Sequence, residues 1–118
     1  MDQIVANLIG MEQQLRIWHW QTKLYSRHQA YGATYSALGD LIDSFMEAYM
    51  GKYGRVEAPS SLPLQNMVTD VEPKIDEYIK MLIGLTEQLD AKVDSDLLNI
   101  RDEMLSLMNK LKYLLTLK

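Results

Sequence analysis

Residues 51–70 read GKYGRVEAPSSLPLQNMVTD, and their interpretation decides the fold. The stretch holds two glycines and two prolines and sustains no hydrophobic period, so it reads as a connection. All three prolines of the chain lie between residues 59 and 73, which leaves the first half free to form long helices. On the N-terminal side, Ile4, Leu8, Met11, Leu15 and Trp18 step alternately by four and three, the signature of one helix face over residues 2–24. Tyr31, Tyr35, Leu38, Ile42, Phe45 and Tyr49 repeat it over residues 27–50, with Ser26 expected as the N-cap after a tight turn.

On the C-terminal side, Val71, Ile75, Tyr78, Leu82, Leu85 and Leu89 form a third stripe, with Pro73 tolerable in a first turn. Leu97, Ile100, Met104, Leu107, Leu111 and Leu114 form a fourth, after a DSD whose Asp94 or Ser95 is suited to capping. Four amphipathic helices, none able to bury its stripe alone, predict an all-α four-helix bundle. Short links make the first two helices antiparallel neighbours, and likewise the last two. A helix of about 23 residues is about 35 Å long, and a link of nearly 20 residues at about 3.3 Å each crosses that length. The second and third helices are then expected to run parallel, joined by one long crossover, which is the ferritin-like arrangement.

The 118 residues make one domain with one core. Apolar residues at 47% and charged residues at 24% describe an ordinary globular chain. A net charge of −4 without a basic run argues against nucleic acid as a partner. With no cysteine there is no disulfide or zinc–thiolate site. The N-terminus lacks the pattern of a signal peptide, and no apolar run nears the roughly 18 residues that span a bilayer, so a cytoplasmic setting is expected.

The chain has two histidines, both within WHWQTKLYSRH at residues 18–28. The second helix also carries His28, Gly32, Ser36, Gly39, Asp43 and Glu47 in a sector about 100° wide. Asp43 and Glu47, four apart, can converge on one hard cation. His28 is fifteen residues from Asp43, about 22 Å along a helix, far beyond a metal bond of about 2 Å. A second copy laid antiparallel across a two-fold axis near Ser36 would bring His28 of one chain to Asp43 and Glu47 of the other, Gly32 and Gly39 permitting close approach. His19, beside the tight turn, would complete a set of two imidazoles and two carboxylates suited to iron, manganese or zinc. Each residue also has a plainer reading: helix-end histidines at a surface, a solvated carboxylate pair, glycines for close packing, Trp18 and Trp20 as core and interface aromatics, and gap-filling methionines.

This constellation resembles the Dps family, the mini-ferritins, over about residues 10–50. His19 and Trp20 match that family's HW pair, His28 its second histidine, and Asp43 and Glu47 the acids that follow at fifteen and nineteen residues. The resemblance implies a ferroxidase site across a dimer interface, with His19, His28, Asp43 and Glu47 holding the iron that is oxidised there. NIRDEMLSLMNKLKYLLTLK at residues 99–118 and MEAYMGKYGR at residues 46–55 are similar instead to ferritin-like proteins of tailed bacteriophages, which implies the fold, a viral source and the host cytoplasm.

Three functions follow as competing expectations. One is a homodimeric or larger iron-binding protein using those four residues. The second is a metal-free helical interaction module that keeps the fold. The third is a di-iron site inside one bundle from Glu12, Asp43, Glu47 and Glu103, which lacks the usual Glu-x-x-His motif.

Overall fold

The computed structural model describes residues 2–118, which form four helices and no strand among the described residues: α1 (Asp2–Gln21), α2 (Tyr25–Tyr53), α3 (Glu72–Gln88) and α4 (Ser95–Leu114). The main packing runs α1 on α2, α2 on α4, and α4 on α3. His19 near the end of α1 meets His28 near the start of α2. Lys52 at the end of α2 meets Asp96 at the start of α4, and Lys112 near the end of α4 meets Asp76 near the start of α3. Every packed pair is therefore antiparallel, and α2 and α3 run in the same direction. The link at residues 54–71 crosses the length of a molecule 42 Å in its longest dimension.

The helix ends differ from the sequence expectation by a few residues, for local reasons. The first helix stops at Gln21 rather than residue 24. Ser26 does not cap the second: α2 begins at Tyr25 behind Leu24, whose side chain offers no acceptor. At its other end α2 runs on to Tyr53, past the expected limit of residue 50. Gly54 stops it at φ 90°, a left-handed turn that a side chain disfavours, with its N–H on the Met50 carbonyl. Asp94 does occupy the N-cap position of α4, but its carboxylate does not cap. It turns to other donors instead: the Asp90 N–H at 2.9 Å, the Tyr53 hydroxyl, and Lys52 at 3.5 Å.

The core is built from the expected stripes of α1, α2 and α3. Leu8, Met11, Leu15 and Trp18 meet Tyr31, Leu38 and Phe45, with Ile75, Leu82 and Leu85 opposite. In α4 the buried series is Leu97, Arg101, Met104, Met108 and Leu111, so Ile100, Leu107 and Leu114 stand at the margin. Arg101 can enter that series because its guanidinium finds acceptors. Its Nη1 donates to the Leu82 and Ile83 carbonyls at 2.9 and 3.4 Å and to Thr86 Oγ1 at 2.8 Å, a cation over the last turns of α3 where the helix dipole favours it.

The crossover is tied to α1 by amide side chains. Gln14 is fully buried; its Nε2 donates to the Gln65 carbonyl and its Oε1 accepts the Gln65 N–H, both at 2.8 Å. Gln21 repeats the pattern one end further on, with Oε1 accepting from the Met67 N–H and Nε2 donating to Asn66. A stretch of irregular backbone thus finds hydrogen bonds on a helix surface.

Candidate functional site

α1 delivers His19 in its last turn and α2 delivers His28 in its first, and the three-residue link brings them face to face. The imidazole centroids are 3.8 Å apart with the planes tilted by 18°. His19 Nδ1 lies 2.7 Å from the His28 carbonyl, and His28 Nδ1 lies 2.8 Å from the His19 carbonyl. A carbonyl can only accept, so both Nδ1 atoms carry their proton. In the neutral rings the Nε2 lone pairs are the ones left over.

Further groups extend the stack. The Tyr25 ring lies 6.2 Å from His28, and Tyr35 meets His19 edge-on at 5.3 Å. The Arg16 guanidinium lies over Tyr35 at 4.5 Å and pairs with Glu12 at 3.3 Å. Arg16 and Tyr35 join this cluster beyond the residues expected from sequence. Tyr35 carried the signal of sitting in the second helix's stripe beside Gly32, and Glu12 and Arg16 stand four apart on one helix face.

Gly32 is explained inside the chain. A Cβ on Gly32 would lie 2.9 Å from His19 Cε1, closer than real contacts allow, so the glycine makes room for the ring. Gly39 faces Glu12, whose Oε1 would be 3.7 Å from an added Cβ. At Gly32 a close approach is thus made by α1 of the same chain, whereas at Gly39 an added Cβ would meet Glu12 at an ordinary contact distance. Trp18 lies fully buried beneath the turn with its ring 5.9 Å from Tyr31, as a core residue, and its Nε1–H finds no partner among the described residues.

Of the four expected metal ligands, the fold joins His19 and His28 and leaves Asp43 and Glu47 exposed further along α2. Among the described residues, no group of three or more histidine, aspartate and glutamate side chains is arranged to hold a metal ion. The stack adds a geometric condition. Imidazole lone pairs lie in the ring plane, so an ion shared by both rings must lie in both planes. Planes 3.8 Å apart and tilted by only 18° meet several times further away than a metal–nitrogen bond of about 2 Å. One ion can be shared by these two rings only after the stack opens.

The far end of the bundle carries the other polar cluster. Tyr53 and then the Asp90 N–H and Lys52 hold the Asp94 carboxyl below the usual carboxylate range, and Lys52 does the same for Asp96. The Lys52 ammonium is pushed up, chiefly by Asp96, and the Tyr53 hydroxyl is pushed up by Asp94. These groups lock α2 to the start of α4.

Residues 19–115 match the model of a protein family described as a family of unknown function, DUF5856. The chain belongs to that family. It is also similar to a protein of Enterobacteria phage T4 described as an uncharacterized 14.6 kDa protein in the mobD-ri intergenic region. The two are 30% identical over 117 residues, which cover 99% of this chain and 88% of the phage protein. No solved structure matches the chain. The matched region of this DUF5856 member begins at His19, so the stacked pair lies within it. No helix among the described residues is long and apolar enough to cross a membrane.

Proposed function

We propose that the protein is a phage-type helical interaction module, with a ferritin-like bundle, that works in the host cytoplasm through its surface and without a bound metal. The observation that carries this reading is the reciprocal stack of His19 and His28. Both Nδ1–H groups and one face of each ring are spent on joining α1 to α2, and the rings cannot share an ion as they stand. The parallel course of α2 and α3 supports the ferritin-like part, and the T4 relative supports the phage setting.

Thermal unfolding in the presence of ferrous iron, manganese or zinc, handled anaerobically for iron, tests the reading. A cation that binds only the folded chain must raise the melting temperature. We expect no shift. Calorimetric binding of ferrous iron near one per chain, abolished by His28→Ala, would overturn the proposal in favour of the two-chain site of His19, His28, Asp43 and Glu47, with ferrous iron as substrate.

A further inference from the structure

At the end of the bundle away from the histidines, the link from α3 to α4 reads LDAKVDSD at residues 89–96. Asp90 shapes it: one carboxyl oxygen accepts the Lys92 N–H at 2.9 Å, and its own N–H donates to Asp94 Oδ2 at 2.9 Å. The Asp94 carboxylate is thereby fixed with Oδ1 toward the last turn of α2, where Lys52 and the Tyr53 hydroxyl meet it. Lys52 Nζ donates to Asp96 Oδ1 at 2.6 Å, to Asp94 Oδ1 at 3.5 Å and to the Val93 carbonyl. Two neighbouring acids alone do not make a cation site. Here a cation is already seated between them, and a main-chain carbonyl completes its surroundings.

We propose that this junction is a hard-cation site whose resident cation is the Lys52 ammonium, and that a divalent ion of the calcium class takes it once that ammonium is removed. All the groups around Lys52 Nζ offer oxygen, a carbonyl and two carboxylates, which is the ligand set hard cations prefer. The farthest of these oxygens, at 3.5 Å, has to close by about 1 Å to reach a calcium–oxygen distance. Asp94 is 2% exposed and forms the fixed wall of the site, while Asp96 is 52% exposed and leaves an open side for the waters that complete a calcium shell. Taking away the ammonium leaves the carboxylates facing each other with no counter-charge, which costs stability and draws in an external cation. The chain therefore supplies its own ion at the α2–α4 junction. The site uses no histidine and stands apart from the His19–His28 pair.

Calorimetric titration with calcium chloride, on protein first treated with EDTA, tests the proposal. The Lys52→Met chain should bind one calcium ion and melt at a higher temperature as calcium is added, since an ion that binds only the folded chain stabilises it. The wild-type chain should bind at least tenfold more weakly, because its ammonium holds the seat. Adding Asp96→Asn to Lys52→Met should lower the affinity at least tenfold, which separates this seat from other surface acids. If Lys52→Met does not fold after EDTA treatment, calcium should restore its helical dichroism. Absence of calcium binding by Lys52→Met, an unfolded variant that calcium does not restore, equal affinity in the wild type, or binding indifferent to Asp96→Asn would overturn the proposal. Failure of Lys52→Met to bind overturns this site alone; the metal-free reading is decided separately, on the wild-type chain with iron, manganese and zinc.

Discussion

His19 and His28 bond reciprocally, each Nδ1–H donating to the main-chain carbonyl of the other, at 2.7 and 2.8 Å. The pair closes the α1–α2 turn with side chains of both helices, at a point where α2 has no side-chain cap. Replacing either histidine by alanine leaves one carbonyl without its donor and removes the stack, at a cost of about 1–3 kcal/mol. Because the two residues form one unit, the double variant should cost clearly less than the sum of the singles. Urea unfolding of the four proteins measures this coupling, and additive losses would show that the rings act independently.

Gly32 and Gly10 should respond in opposite ways to the same substitution. Gly32→Ala drives a methyl group into the His19 ring, and such overpacking costs about 1–3 kcal/mol. An added Cβ on Gly10, in the middle of α1, meets nothing within 4 Å. Gly10→Ala should therefore stabilise the chain by about 1 kcal/mol through helix propensity. Paired thermal melts decide the matter, and equal responses would mean that the His19 contact is not tight.

Acid should weaken the far end of the bundle through Asp94. Its carboxyl lies below the usual range in the folded chain, so its stabilising contribution is complete above the ordinary carboxylate value of about 3.9 and fades as the pH falls through the depressed folded value. Asp94→Asn should flatten the acid limb of the stability profile. Tyr53 and Lys52 act in the opposite direction: their raised values stabilise below their ordinary pKa and lose that effect as alkali titrates the folded groups. Stability measured across the acid range for wild type and Asp94→Asn is the comparison to make, and parallel curves would contradict the assignment.

Gln14→Leu should loosen the crossover while leaving the helices formed. The substitution strips both partners from the Gln65 main chain, about 1–3 kcal/mol if those groups stay buried and less if they turn to water. Limited proteolysis within residues 54–71 should accelerate while helical dichroism stays near wild type.

The topology was legible because stripe spacing and link length are local properties. Four periodic segments and one long aperiodic link predict four helices with the second and third parallel, and the contacts of His19, Lys52 and Lys112 agree with that course. Helix ends were less legible, since Ser26 and Asp94 are good caps by type but the tertiary surroundings give them other positions and partners. The tilt of the α4 stripe toward Arg101 and Met108 was hidden, because an arginine is buried only where acceptors such as the Leu82 carbonyl already wait. At the candidate site, the nearness of His19 and His28 followed from the short turn. Their stacking and the purpose of Gly32 did not, because these depend on how closely α1 approaches α2.

The chain of neighbours α1, α2, α4, α3 has a bearing on how the molecule assembles. Each helical hairpin unites segments adjacent in sequence, so both can form early at little cost in chain entropy. Joining them requires closure of the 54–71 loop and the meeting of α2 with α4. Topology alone therefore predicts two rapid local events followed by one slower docking at the α2–α4 seam.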